Sequence, residues 1–376
     1  MRPALLNPPV EGSTRAPMGY AGDIDSTSDT AIEARPSRNR RDAGVTVACL
    51  LGSCLLGACA TTGNVANIDR VGFEFVGGET VARPATGILG DTPDEIRAHQ
   101  IAVLSLHPAV AKPSWPIVLL PGFGIVADTY LQTPDGREGW AMDFVRDGHP
   151  VYVVEPSHTA RSGIDSGFYM RKDANGDTPQ LFSWGAKSVW PRWGLGPRYG
   201  EQFDDSRWRL EDYPRIVAAF TAIETDRIAG AHQIDYQLES NVAGLVALLQ
   251  RIGPAILVAH SASGVAAYTI AARNPKLLRA VISVEPLGCL LAVNGTTALP
   301  TLSIFGDHME VRPQMPARRE ECRQLVAATQ AAGMPAQLLD LPALGIRGNS
   351  HLMMMENNSR EIAMRMLNWL DGLPGR

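Results

Sequence analysis

Ala255-Ile256-Leu257-Val258-Ala259-His260-Ser261-Ala262-Ser263-Gly264 decides the reading of this chain. Its first residues are a short, nearly continuous apolar run, as expected of a strand buried on both faces in a parallel sheet. A helical pattern follows over Gly264 to Arg273. A serine between such a strand and helix sits on a sharp elbow that exposes its hydroxyl and admits only small residues two positions to either side. Ala259 and Ser263 stand where glycines are usual, and both are small enough to fit. Taking Ser263 as the exposed serine would place β-branched Val265 two positions on, where it crowds the turn. Ser261 is therefore the candidate nucleophile, and the amide of Ala262 is a candidate oxyanion donor.

The same rhythm extends to both sides. Pro116–Leu120, Val151–Glu155, Ala280–Glu285 and Thr301–Phe305 are further short apolar runs, with Gly72–Val81 and Ile101–Leu106 as leading strands. Helical patterns over Gly139–Asp147, Asn241–Arg251, Pro316–Ala332 and Ser359–Leu370 alternate with them. Such alternation predicts an α/β domain with a mostly parallel sheet, helices on both faces and a ligand site at the carboxyl ends of the strands. Residues 162–236 break the rhythm and hold Trp184, Trp190, Trp193 and Trp208, four of the seven tryptophans. An insertion of this kind reads as a cap whose aromatics line an apolar pocket or pack the cap onto the domain. No internal repeat is visible.

A serine hydroxyl is a weak nucleophile until a histidine takes its proton. Only His308 and His351 follow Ser261 in the chain. His351 lies in the loop Gly345-Ile346-Arg347-Gly348-Asn349-Ser350-His351 before the last helix and is the better-placed base; His308 reads as a polar residue on a strand-end loop. Two carboxylates end neighbouring strands, Glu285 and Asp307, and either could orient the base. The residues alone leave that choice open. A second oxyanion donor is expected from Leu120-Pro121-Gly122-Phe123-Gly124, with Phe123 the donor. No His/Cys/Asp cluster has metal-ligand spacing and no Gly-rich loop has the form of a phosphate cradle, so neither metal nor cofactor is expected.

The chain has 376 residues, 45% of them apolar, with 34 Lys+Arg against 39 Asp+Glu and a formal net charge of −5. That balance argues against disordered, collagen-like and multi-span membrane proteins, and the dispersed charge against a nucleic-acid partner. Residues 1–42, rich in Pro, Ser, Arg, Asp and Gly, read as a disordered or mis-called extension. Residues 43–59 read as a leader: Arg38, Arg40 and Arg41 precede an apolar run, Val45–Ala58. As a helix these fourteen residues span about 21 Å, short of the roughly 30 Å hydrocarbon core. Leu56-Gly57-Ala58-Cys59 resembles the lipobox of bacterial lipoproteins, which makes Cys59 the expected site of lipidation and of membrane anchoring, with Cys54 a second possible box. Residues 60–69 follow as a tether. The segment before Cys59 carries six arginines and six acidic residues, so its removal leaves the charge unchanged. Cys289 and Cys322 are then the remaining thiols, an even number that invites a disulfide in an oxidising compartment.

Four segments carry a family resemblance: Thr133-Pro134-Asp135-Gly136-Arg137-Glu138-Gly139-Trp140; His260-Ser261-Ala262-Ser263-Gly264; Ser283-Val284-Glu285-Pro286; and Leu341–Gly345 running into Gly348-Asn349-Ser350-His351-Leu352-Met353-Met354-Met355. They resemble the α/β-hydrolase superfamily and, within it, secreted bacterial carboxylesterases whose acid is a Glu after the sixth strand. The resemblance implies an α/β-hydrolase fold over residues 70–376 and a triad of Ser261, Glu285 and His351, with Asp307 a structural neighbour. It also implies hydrolysis of a small-molecule ester through an acyl-enzyme. Lactonase, amidase and polyester-cleaving activities use the same machinery. A carboxylate nucleophile, as dehalogenases and epoxide hydrolases need, is absent from the elbow. A non-catalytic, ligand-binding surface lipoprotein is the alternative of another class. Met353–Met355 are expected in the core.

Overall fold

The computed structural model describes residues 67–374 except 84, 86–91, 113, 166, 168–171, 173–175, 177, 179, 226–232 and 290–298. The extension over 1–42, the leader over 43–59 with Cys54 and Cys59, and most of the tether lie outside the described residues.

The apolar runs form strands because each can be covered on both faces. β3 (Ile117–Leu120), β4 (Val151–Glu155), β7 (Ala255–His260) and β9 (Thr301–Phe305) are buried at every position. β1 (Ile68–Arg83) and β2 (Asp94–Pro108) form a long antiparallel ribbon, and β8 (Leu278–Val284) and β10 (Ala336–Asp340) complete a sheet of order β1-β2-β4-β3-β7-β8-β9-β10. β4 through β10 in that order run parallel, and β2 joins β4 antiparallel.

Alternate side chains of each strand feed opposite cores, as the two-residue period demands. Ile256 and Val258 of β7 join the cluster covered by α1 (Trp140–Arg146) and α7 (Ser359–Asp371). Ala255, Leu257 and Ala259 join the cluster covered by α4 (Gln233–Ile252), α5 (Ser263–Arg273) and α6 (Met315–Ala331). Cys289 and Cys322 are joined as a disulfide across 5.0 Å between Cα atoms, tying the start of the loop after β8 to α6. Met353–Met355 are buried in the first core.

The insertion between β4 and α4 contains α2 (Ala186–Arg192), α3 (Tyr213–Ala218) and an antiparallel pair, β5 (Gln180–Phe182) and β6 (Ile223–Thr225). Its tryptophans divide between the two expected tasks. Trp190 packs edge-on against Trp208 and Tyr213, whereas Trp184 and Trp193 line a cavity.

Three elements differ from the pattern reading. β2, expected from Ile101, begins at Asp94. The helix expected from Asn241 begins two turns earlier, at Gln233, so the insertion ends before it. β10 was missed altogether. It is a half-exposed edge strand whose Ala336-Gln337-Leu338-Leu339-Asp340, broken by Gln337 and Asp340, lacks the longer apolar run that marks its neighbours.

Candidate active site

Every parallel strand ends at one edge of the sheet, and the candidate groups lie on the loops that follow. Ser261 comes directly after β7 and Glu285 directly after β8. Both adopt the left-handed backbone, at φ 53° and 43°. Such a conformation costs a non-glycine residue about 1–3 kcal/mol and persists only where surroundings over-determine it. Here Ser261 N–H donates to Val284 O at 3.0 Å and Ser261 O accepts from Leu287 N at 2.9 Å, stitching the two turns together. A side chain at Gly264 would place its Cβ 2.5 Å from Leu287 O, so glycine is required where the elbow meets the next turn. Ser263 donates its hydroxyl to Pro121 O at 2.5 Å and is thereby occupied. The Ser261 hydroxyl has no hydrogen bond to a described residue and faces a cavity of about 820 Å³ that His351 also lines.

Phe123 and Ala262 line the same cavity, and neither backbone N–H donates to a described residue. Two such amides beside Ser261 form the kind of donor pair that receives a developing oxyanion. Trp184 fixes the Phe123 peptide by donating its indole N–H to Phe123 O at 2.5 Å.

His351 Nδ1 meets Glu285 Oε2 at 2.5 Å, with both side chains buried. Glu285 also accepts from the Gly306 amide at 2.9 Å and from Arg312, whose guanidinium grips both carboxylate oxygens. Burial alone would push the Glu285 carboxyl up; the Arg312 charge first, and then the His351 contact, hold it well below the usual carboxylate range. Burial lowers His351 below its ordinary value despite Glu285, with Arg312 and Arg318 adding to the depression. The two shifts describe one state, an ionised Glu285 paired chiefly with Arg312 beside a neutral imidazole. Asp307, the other candidate acid, does not reach His351. Its Oδ2 accepts from Gly348 N at 3.2 Å and its backbone amide donates to Asn349 O at 2.7 Å, which braces the loop carrying His351. His308 lies away from that cavity, stacked on Phe203 with ring centroids 3.6 Å apart.

Several residues that support this loop escaped the sequence reading. His260 is fully buried and neutral, its pKa pulled down by burial, and it bonds His351 O through Nε2 at 2.9 Å. Glu356 accepts from Ser350 N at 2.7 Å and Asn349 Nδ2 at 2.5 Å, and burial pushes its carboxyl up to about 7. Arg137 donates to Glu356 O and Asn357 O, and Trp140 to Ser359 O at 2.7 Å. The segment from Thr133 to Trp140 thus clamps the far side of the loop that carries His351.

Among the described residues two groups bring three ligand atoms within 4.8 Å of one another: His99, His158 and Glu224, and Asp205, Asp307 and His308. In the first, the imidazoles stack with centroids 3.9 Å apart and planes 23° apart. A cation shared by stacked rings lies off the lone-pair direction of at least one, so the group is better satisfied as Glu224 Oε2 bonded to both rings, at 3.1 and 2.9 Å. Neither group lines the cavity that holds Ser261.

Removing Arg312 leaves a buried carboxylate without its counter-charge. Arg312→Met is expected to cost about 3–5 kcal/mol of stability, and Arg312→Met combined with Glu285→Leu to regain most of it. Urea denaturation of both variants reads this directly, and equal losses in the two would contradict it.

No family model matches the chain. It is 27% identical to a fungal protein described as a probable secreted lipase, over 68% of this chain and 81% of that one. The solved structure of a bacterial esterase superposes with a TM-score of 0.72 at 30% identity, covering 81% of this chain and 96% of that one. A likeness that extends in sequence and fold over nearly the whole of a solved esterase places this chain in the α/β-hydrolase superfamily of esterases.

Proposed function

We propose that the protein is a serine carboxylesterase that works through an acyl-enzyme on Ser261, with His351 as base and Glu285 as the acid that orients it. The observation that carries the proposal is the 2.5 Å contact between Glu285 and His351, set beside an elbow that holds Ser261 in a left-handed turn. Glu285 accepts from Nδ1 and so fixes the tautomer that leaves Nε2 free to take a proton. His351 removes the Ser261 proton as Oγ attacks the ester carbonyl, and the N–H groups of Phe123 and Ala262 receive the oxyanion. His351 then passes its proton to the departing alcohol. Water activated by the same imidazole releases the acid and restores Ser261. A Ser–His hydrogen bond that forms only when substrate excludes water is ordinary for such sites, in keeping with the unbonded Ser261 hydroxyl.

A purely ligand-binding role leaves two strained turns and a buried ionic contact without a task. Lactones, amides and polyesters would use the same groups, and the cap that roofs the cavity sets the choice among them. The likeness to a secreted lipase and the N-terminal layout support export, with Cys59 acylated and the domain held to a membrane by a tether.

Ser261→Ala is expected to lower hydrolysis of short p-nitrophenyl esters by at least about 10⁴-fold. Glu285→Ala should lose about two to four orders of magnitude in kcat, and Asp307→Ala about tenfold or less. The reverse ranking would transfer the acid's role to Asp307.

A second expectation concerns pH. His351 must be neutral to accept a proton, and its pKa lies below the ordinary 6.5. The rate kcat/KM should therefore rise with pH through a midpoint below 6.5 and be level at neutrality; a midpoint above 7 would contradict a base depressed by burial.

Mass spectrometry of the membrane fraction should find a diacylglyceryl-modified N-terminus at Cys59. A soluble, unmodified product that starts elsewhere would refute the anchor.

A further inference from the structure

The cavity at Ser261 has a charge that its catalytic use leaves unexplained. Aromatic rings supply part of its lining, among them Phe182, Trp184 and Trp193. Three arginines, Arg192, Arg312 and Arg318, line it as well, and among the described residues no carboxylate side chain does. Arg312 is neutralised by Glu285. Among the described residues neither Arg192 nor Arg318 has a carboxylate within ion-pair distance, whereas Arg319 and Arg323 on the same helix pair with Asp340 and Glu320. Among the described residues the Arg318 guanidinium donates only to Met315 Sδ, at 3.7 Å, a weak acceptor.

Arg192 is held over the Trp184 ring, 5.8 Å from its centroid, which fixes the guanidinium beside the aromatic lining. Arg318 is half-buried. Burial first, and then Arg312 and Arg192, lower its pKa against the pull of Glu285, so these charges feel one another across the site. A partly desolvated guanidinium with no carboxylate in ion-pair distance among the described residues is costly, and an oxyanion that forms parallel N–H···O bonds offsets that cost. The concentration of positive charge runs against a chain whose formal net charge is −5, and a concave wall focuses such a field on an incoming anion.

We propose that Arg192 and Arg318 form an anion-binding subsite, and that the preferred substrates are carboxylic esters carrying a second, ionised carboxylate. The proposal rests on the esterase reading of Ser261. The apolar part of the substrate lies against the aromatic rings, and its free carboxylate is held by the guanidinium groups. The scissile ester then reaches Ser261 already oriented, which converts binding energy into correct placement.

The test compares matched esters that differ in one charge. 4-Acetoxybenzoate against 4-acetoxybenzamide places the charge on the alcohol side, and monoethyl adipate against ethyl hexanoate places it on the acyl side. In at least one pair the anionic member is expected to have the higher kcat/KM by at least about tenfold in low salt, and the ratio should fall in roughly 0.5 M NaCl. Arg318→Gln and Arg192→Gln should each bring the ratio toward one. Arg192 is exposed, so its variant keeps the test decisive should the other fail to fold. Arg318→Gln should also move the acidic limb for the neutral ester to higher pH, because a charge that depresses His351 is gone. A wild-type ratio near one in both pairs, or a ratio that survives in both variants, overturns the subsite. Failure of the esterase reading looks different: neutral esters are then not turned over, or are turned over equally by Ser261→Ala.

Discussion

Glu285 is a carboxylate removed from water, and such a group stays ionised only where charge and hydrogen bonds are brought to it. Arg312 supplies the charge, the Gly306 amide one bond and His351 the third contact. Much of the local structure follows from that requirement. Gly306 has no side chain because a Cβ there would stand 2.5 Å from Asn349 O and 3.1 Å from the carboxylate. Arg312 is itself buried, so it too depends on the pair, and its Nη1 also reaches Asp307 O at 3.0 Å. Each charge is tolerable only because of the other.

The parallel sheet makes this arrangement possible. β7, β8 and β9 deliver Ser261, Glu285 and Asp307 to one edge in register, and the loop after β10 brings back His351. A loop is a weak place to hold a side chain in position, and the one that carries His351 is fixed from four sides. Trp193 O accepts from the His351 amide at 2.8 Å, His260 bonds its carbonyl, Asp307 holds Gly348, and Glu356 holds Asn349 and Ser350. The cap therefore holds the His351 loop directly, through Trp193, as well as lining the cavity.

The central strands and the turn at Ser261 were legible because they rest on local physics: a strand buried on both faces needs an apolar run, and a strained elbow needs small neighbours. Chain order left His308 and His351, and the Gly-rich loop before the last helix singled out His351 as the candidate. Which of Glu285 and Asp307 contacts His351 was not legible, because both residues end strands and only their partners differ. The partner that distinguishes Glu285, Arg312, lies 27 residues away in a short turn that carries no motif. His260 and Glu356 were invisible for the same reason, as supports whose value exists only in three dimensions. The Thr133–Trp140 segment was noticed for its resemblance, while its work on the carbonyls of residues 356–359 required the fold. β10 escaped because an edge strand, half in water, has no need of an apolar run.

The claim on which the rest depends is that Ser261 becomes covalently acylated with His351 as its base. Treatment with a fluorophosphonate ester followed by peptide mapping measures that state directly. The account predicts one adduct, on Ser261, formed in step with loss of esterase activity and strongly slowed in His351→Ala. Full inactivation with the label on another residue, or labelling of Ser261 at an undiminished rate without His351, would contradict it.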